Sequence, residues 1–445
     1  AGTGKSGISA TKLLVNHGVK VYLFDENKDR DIEAIKEKTG DSELVQIELG
    51  ELGEDALSSS QLMVISPGIP VDAPFTDVVR NAGIPIWSEI ELAYHYGKGK
   101  IAAITGTNGK TTTTALVGEI VKAHNAKTIV VGDIGIPYTE LCDTTDDDSD
   151  TVAEISSFQL ETVIDFHPNV SAILNLTPDH LNRHYTFENY GNVKFSITKN
   201  QTMDDVTVLN YDDEHTRAMG EKAKDHCHVV YFSRLEKPAG GVYVEDGDII
   251  LEDGDKKINV LAIKDLKLMG AHNVENVLAA VGISYYMGVP VDVIRDVATS
   301  FKAVAHRIEY VDTIDGVAYY NDSKGTNPDA AIKGIQAMVA PTFLIGGGYD
   351  KGSEYDEWIE AFDGKVKWLV LIGQTAQKIA DCAKRHGFNS IIFEENLQDA
   401  VAYCHENAVD GDAVLLSPAC ASWGQFDNYE QRGDMFKEYV RSYKE

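Results

Sequence analysis

Cationic side chains are scarce in this chain of 445 residues: 40 lysines and arginines stand against 70 aspartates and glutamates, a formal charge of −30. Such a surface repels nucleic acid and anionic membrane, which argues against polyanion binding. Any phosphate the protein holds must therefore be held by local devices. Long apolar runs are also missing. None approaches the roughly 20 residues that span a bilayer, and nothing resembles a secretion signal. Cysteine is sparse, and Cys142, Cys227, Cys382, Cys404 and Cys420 lack paired spacing, which suits reduced thiols in the cytosol. The expectation is a cytoplasmic protein that binds no nucleic acid and inserts in no membrane. With 43% hydrophobic residues it can fill ordinary cores, and its length suits about three domains of roughly 150 residues each.

What is present starts with IAAITGTNGKTTTT at 101–114, an apolar strand, a glycine turn, a lysine and threonines opening a helix. Glycine lets backbone N–H groups approach an anion, and the helix N-terminus turns its positive end toward it. Lys110 can reach terminal phosphates, and the Thr111 hydroxyl is placed for Mg²⁺. The general P-loop needs a further glycine where Ile104 stands, so the motif is the shorter Gly106-Thr107-Asn108-Gly109-Lys110-Thr111, followed by Thr112. It predicts an ATP site.

The pattern of strands and loops predicts three α/β domains in a row. A Rossmann-like N-terminal domain covers 1–97, with strands in VKVYLFD and QLMVISPGIP. A central P-loop-type domain covers 98–301, and a Rossmann-like C-terminal domain covers 302–445. In the central domain, TIVVGDIGIP, TVAEISSFQLE and VSAILNLTPDH each read as a strand running into a polar or glycine loop. YFSRL, GVYVEDGDIILEDG and KINVLAI read as edge hairpins. The acidic run Asp143 to Asp150 reads as a solvated loop. In the third domain the strands fall in VAYYNDSKGTNP, PTFLIGGGYDKG, VKWLVLIG, SIIFEE and AVLLSPACAS.

Several groups could carry chemistry at the carboxyl ends of these strands. Gly2-x-Gly4-x-x-Gly7, with Asp25 ending the next strand, outlines a dinucleotide or nucleotide-sugar diphosphate site, although a tight strand–helix turn reads equally well. The strand that should precede this motif lies outside the sequence. Glu154 follows a strand and is placed to hold Mg²⁺. His180 and His184 have i,i+4 spacing, but no third soft ligand accompanies them. His180 reads as catalytic or metal-bound and His184 as a surface histidine. Asp322, Lys324, Asp350 and Lys351 put charges at the end of a second sheet, as two domains closing over one reaction require.

Together these motifs resemble the Mur ligases, and the match runs along the whole chain. Gly106–Thr111 is similar to that family's ATP loop, GAHNVENVLAA (Asn273) and AHRIEY (Arg307) to its adenine and phosphate contacts, and NDSKGTNP to its third-domain ATP loop. VAEISSFQLE, NLTPDHLNRH and SPACASWGQFDNYEQRGDMF resemble the branch that adds D-glutamate. The DNPR tetrapeptide of the diamino-acid-adding branch is absent.

The resemblance implies an ATP-dependent ligase of peptidoglycan precursor synthesis, a monomer joining D-glutamate to UDP-MurNAc-L-alanine through an acyl phosphate. It implies catalytic roles for Lys110, His180 and Lys194, with two Mg²⁺ ions held by Thr111, Glu154, His180 and a carbamate on Lys194. ATP would meet residues 106–112, Asn273, Arg307, Asp322 and Lys324. The uridine diphosphate substrate would meet Gly4, Asp25, Ser66, Gly68, Asp133 and Ser156. Thr326, Lys351, Ser422 and Tyr429 would seat D-glutamate, whose two carboxylates demand cationic and hydroxyl donors. The chain departs from the family at Asp133, where asparagine is usual, and at Trp423 and Tyr429, where leucine and phenylalanine are common. Two rivals share some of these features: folylpolyglutamate synthetase has the same ATP loop, and a nucleotide-sensing module would leave Glu154, His180 and Lys194 idle.

Overall fold

Val21–Asp25 (β1) pairs in parallel with Val45–Leu49 (β2), and Met63–Ile65 (β3) with Ile86–Ser88 (β4), in a computed structural model that describes residues 1–133, 135–268, 270–302, 304–350 and 352–444 apart from the side chains of Asn182 and Asp329. The helix Lys5–Asn16 lies against β1 and β3. Ala1 and Gly2 tie the two pairs together: the Ala1 amine donates to the Val64 carbonyl, Ser66 N–H donates to the Ala1 carbonyl and Gly2 N–H to that of Phe24. A groove of about 490 Å³ is lined by Leu23 and Phe24 of β1 and by Met63 and Val64 of β3. β4, three residues long, is too short to carry a period of its own.

Nine strands then form one sheet among the described residues: Lys100–Thr105 (β5), Thr128–Gly132 (β6), Asp150–Glu154 (β7), Val170–Ile173 (β8), Val206–Asn210 (β9), His228–Ser233 (β10), Gly241–Glu245 (β11), Asp248–Asp253 (β12) and Lys256–Ala262 (β13). Their order is β13-β12-β11-β10-β9-β8-β5-β7-β6, parallel from β6 to β11 and antiparallel beyond. Ile101 to Thr105 is buried throughout, as a strand covered by helices on both faces must be. The hairpins are thus β11 to β13, whereas the first three residues of YFSRL end β10, which runs parallel to β9. The acidic run is not wholly a solvated loop, because Asp150 opens β7, is buried, and accepts from Asn125 Nδ2 at 2.8 Å.

The first four strands and the nine-stranded sheet belong to one compact unit, residues 1–266 with 275–300. Ala10, Leu13, Ile90 and Ala93 are buried in one core with Ile101, Ala103, Val131 and Ile155. Each large aliphatic side chain buried there contributes roughly 1.5–3 kcal/mol. The wholly buried Glu91 carboxylate adds a polar joint, accepting from the backbone N–H groups of Ile164, Asp165 and Phe166 at 3.0, 2.7 and 3.1 Å.

The second unit comprises 267–274 and 301–445. Glu309–Ile314 (β14), Val317–Asn321 (β15), Thr342–Gly346 (β16), Val366–Leu371 (β17), Ile391–Phe393 (β18) and Ala413–Leu416 (β19) form a sheet in the order β14-β15-β19-β16-β17-β18. All neighbours are parallel except β14, which the sequence reading missed. It folds back on β15 through Asp315 and Gly316, both left-handed at φ 51° and 79°, the hairpin geometry that Asp-Gly favours. No helix among the described residues is long and apolar enough to cross a membrane.

Candidate active site

The loop leaving β5 turns on two glycines. Gly106 has φ 149°, and a Cβ there would come within 3.0 Å of Leu174 Cβ; Gly109 is left-handed at φ 84° and caps the helix Lys110–His124. A Cβ on Gly109 would lie 2.3 Å from Asn276 Oδ1, so glycine is required there for space as well as for backbone angle. Asn108 N–H donates to Asn175 Oδ1 at 2.8 Å, and Asn175 Nδ2 returns a bond to the Asn108 carbonyl at 3.1 Å. Thr107 Oγ1 bonds the Tyr190 hydroxyl at 3.1 Å. The loop is thereby held in shape, with the N-terminus of a 15-residue helix behind it. Thr112 lies buried in the first turn of that helix.

Around this loop the parallel strands deliver charge. Thr111 Oγ1 donates to Glu154 Oε1 at 3.3 Å, and Glu154, at the end of β7, is only 2% exposed. A hydroxyl and a buried carboxylate side by side are hard oxygen donors of the kind Mg²⁺ takes. Lys110 Nζ curls back to the carbonyls of Gly106 and Thr107 at 2.9 and 3.0 Å. Lys194, 1% exposed, donates to the same Gly106 carbonyl at 2.9 Å and to Thr105 Oγ1 at 3.3 Å, over the face of Tyr190. Burial, and then the charge of Lys110, hold its pKa well below the usual lysine value against the pull of Asp179, Asp133 and Glu154.

His180 ends the loop after β8 in a left-handed conformation, φ 52°, with its ring 3.4 Å from Asp179 and edge-on to Phe158. His184 is no surface histidine: it is 1% exposed, its Nε2 lies 2.9 Å from Ser157 Oγ, and its Nδ1 faces Glu161 at 3.6 Å. Burial and the adjacent Arg183 push its pKa down to about 4. The two histidines thus face different partners and do not form a metal pair.

In the glycine turn at the start of the chain, a Cβ on Gly7 would fall 1.8 Å from the Gly2 carbonyl, so only glycine closes this turn into the helix. Gly4 caps the helix without a side chain, and both it and Gly68 face open space. Ser66 Oγ is buried beside the turn without a hydrogen-bond partner among the described residues, an orphan that a ligand oxygen would satisfy. Asp25 is already engaged: it accepts from Thr3 N–H and Oγ1 at 3.0 and 2.6 Å and from Asn27 N–H at 3.0 Å. Burial alone would raise its pKa, but these bonds and Arg30 hold it below the usual value. Asp133 is exposed after β6, its N–H donating to the Glu154 carbonyl at 2.8 Å. The Ser156 hydroxyl is taken up in a capping box with Gln159.

The second unit gathers its own set at the ends of β15 and β19. Asp322 is buried, accepts from Ser417 Oγ at 2.7 Å, and is pushed up to about 6 by burial against the opposing pull of Arg307. Arg307 Nε is itself buried and unpartnered among the described residues. Lys324 Nζ lies 5.9 Å from the Tyr429 ring centroid, Thr326 N–H donates to the Lys324 carbonyl, and Ser422 is buried in the loop after β19. Asn273 is buried in the first turn of the helix Ala271–Tyr286. Lys351 lies outside the described residues; Asp350 is 3.8 Å from Lys378.

Two residues here escaped the sequence reading. Arg432 is 1% exposed and joins both loops, donating to Ser323 Oγ and the Ser323 carbonyl at 2.9 and 2.8 Å and to the Cys420 carbonyl at 3.2 Å. Nothing in its helical sequence marks it as buried. Asn276 accepts from Thr113 Oγ1 at 3.3 Å, and its three-residue spacing from Asn273 was the signal available.

Three protein-family models match the chain. Residues 1–88 match the model of the Mur ligase MurD-like N-terminal domain, 104–284 the Mur ligase middle domain, and 306–420 the Mur ligase glutamate ligase domain. The chain is 56% identical over 441 residues to a UDP-N-acetylmuramoylalanine–D-glutamate ligase of Lachnospira eligens, covering 99% of this chain and 97% of that one. It is 51% identical to the ligase of the same name from Lachnoclostridium phytofermentans, over 100% of this chain and 97% of that protein. Among solved structures, the UDP-N-acetylmuramate–alanine ligase of Thermotoga maritima shares the fold with TM-score 0.61 at 20% identity, covering 100% of this chain and 98% of that one.

Proposed function

Because the chain belongs to the Mur ligase family, we infer that it is an ATP-dependent ligase joining D-glutamate to UDP-N-acetylmuramoyl-L-alanine in peptidoglycan precursor synthesis. The observation that carries the reading is the gathering of Lys110, Thr111, Glu154 and Lys194 about one glycine loop.

The substrate's terminal carboxylate oxygen attacks the γ-phosphorus of ATP, the bond to ADP breaks, and an acyl phosphate forms. The amine of D-glutamate then attacks the acyl carbon, loses a proton, and the tetrahedral adduct expels inorganic phosphate. Phosphoryl transfer of this kind rests on positioning and charge neutralisation. The backbone of Gly106–Thr112 cradles the phosphates and Lys110 swings from its carbonyl partners to the γ-phosphoryl. Asn273, Arg307, Asp322 and Lys324 complete the ATP contacts. Thr111 and Glu154 would hold one Mg²⁺, and His180 with a Lys194 carbamate a second; when bound, these ions neutralise phosphate charge. The depressed pKa of Lys194 supports the carbamate: its neutral amine bonds to the carbon of CO₂ and releases a proton, turning a cation into a carboxylate. Gly4, Ser66 and Gly68 serve the diphosphate and Asp25 the uridine end, with Asp133 and Ser156 nearer the acceptor. Thr326, Lys351, Ser422 and Tyr429 seat D-glutamate. The enzyme acts as a cytoplasmic monomer, with residues 1–97, 98–301 and 302–445 as its substrate, ATP and D-glutamate domains.

Phosphate release with ATP, Mg²⁺ and UDP-MurNAc-L-alanine tests the assignment. Turnover requires D-glutamate, and equal turnover with L-glutamate would reject it.

A further inference from the structure

Away from the loops described above, the second unit brings two i,i+4 pairs together. The short helix Asp356–Glu360 carries Asp356 and Glu360, and the helix Ala376–Arg385 packed against it carries Cys382 and is followed by His386. Ligand atoms of Asp356, Cys382 and His386 all lie within 4.8 Å of one another. The imidazole is addressed from both sides: Nε2 is 2.8 Å from Asp356 Oδ1, and Nδ1 is 3.7 Å from Glu360 Oε1. Trp358 and Phe362 are buried in one core with Ile379, Cys382 and Ala383 of the facing helix.

We propose that Asp356, Cys382 and His386 form a site for Zn²⁺ or a similar borderline-soft divalent cation, with Glu360 as the outer carboxylate on the histidine. One thiolate, one imidazole nitrogen and one carboxylate oxygen are a zinc ligand set, whereas Mg²⁺ would avoid the sulfur. A carboxylate on the far nitrogen is how metal-bound histidines are oriented and made more basic. Three protein ligands leave a fourth position open, and the cluster supplies it with solvent: Cys382 is buried at 2% exposure, but the Asp356 side chain is 44% and that of His386 25% exposed. Binding forms the Sγ–metal bond as the thiol proton passes to solvent; Nε2 likewise gives up the proton it shares with Asp356 and binds the metal, leaving the ring as the Nδ1–H tautomer facing Glu360. Because binding releases protons, it is favoured as pH rises. Arg385, 3.5 Å from Asp356, competes for the carboxylate, but at 60% exposure it can turn to water.

Cobalt titration of the full chain, freed of metal with a chelator and held in excess Mg²⁺, tests the site. One equivalent of Co²⁺ should give a thiolate-to-cobalt charge-transfer band and tetrahedral ligand-field bands, both erased by one equivalent of Zn²⁺. His386→Asn, at a partly exposed position that spares the fold, should remove the tetrahedral spectrum, and Cys382→Ala the charge-transfer band. Glu360→Gln should weaken Co²⁺ affinity about 10- to 100-fold. Absence of the band in the wild-type chain, or its survival in Cys382→Ala or unchanged in His386→Asn, overturns the proposal. The Mg²⁺ sites proposed for ligation offer no thiolate, so these spectra report on this cluster whatever the enzyme's activity.

Discussion

Lys110 and Lys194 aim their amines at one oxygen, each donating to the Gly106 carbonyl at 2.9 Å. Two ammonium groups that close repel, and the more deeply buried of them is the easier to deprotonate. Lys194 is that one, with its pKa well below the ordinary value through burial first and Lys110 second. An amine whose charged form is disfavoured in this way gives up its proton more readily to react with CO₂, which is the chemical rationale for the proposed carbamate.

Lys194→Ala is therefore expected to lower ligation by about 10³-fold, the scale of losing a preorganised charge at a phosphoryl-transfer site. Lys194→Arg should be no better, because a guanidinium carries no CO₂. Phosphate release measures both, and stripping CO₂ from the buffer should slow the wild-type enzyme reversibly. Full activity in Lys194→Ala ends the carbamate role.

Glu154→Gln should leave ATP-loop geometry intact but raise the Mg²⁺ concentration for half-maximal phosphate release by at least about tenfold, since a neutral amide is a weaker ligand than a buried carboxylate. The Mg²⁺ titration is the measurement. An unchanged curve would place the cation elsewhere.

How far the site could be read from sequence follows from how local each device is. The loop from Gly106 to Thr111 is legible because a strand, a turn and a helix start are all encoded within a dozen residues, and Glu154 because parallel strands deliver their carboxyl ends to one edge. The environment of a side chain is less legible. His184 and His180 share one motif, yet one is buried against Ser157 and Glu161, more than 20 positions before it, and the other faces solvent. Arg432 binds carbonyls from loops at 323 and 420, contacts that no helical periodicity encodes. The hairpin of β14 with β15 was readable from Asp315-Gly316 and was passed over because the preceding strand is only half-buried.

Gly109→Ala separates backbone demand from chemistry. The left-handed φ of 84° costs an L-residue roughly 1–2 kcal/mol, and the new methyl would press on Asn276 Oδ1. Thermal unfolding should show that loss together with weakened ATP binding. Gly68→Ala, with nothing within 4 Å, should leave stability within about 0.5 kcal/mol of the parent. Equal melting temperatures for both variants would mean that the loop relaxes without cost.

His184 makes stability depend on pH in a direction that can be worked out. Its folded pKa is about 4, pushed down by burial and then Arg183, against 6.5 for the free side chain. Between those values the unfolded chain binds the proton and the folded one does not, so stability rises with pH across this window and is lost as pH falls through it. At pH 5 the deficit relative to pH 7 is on the order of 1–2 kcal/mol from this residue. Urea unfolding at the two pH values should show that extra loss in the parent and not in His184→Gln, which keeps a polar group for Ser157 but no titratable ring. Carboxylates elsewhere titrate in both proteins and cancel in the difference. Identical pH responses would mean that His184 is protonated inside the fold, against its contact with Ser157 and its place under Phe158.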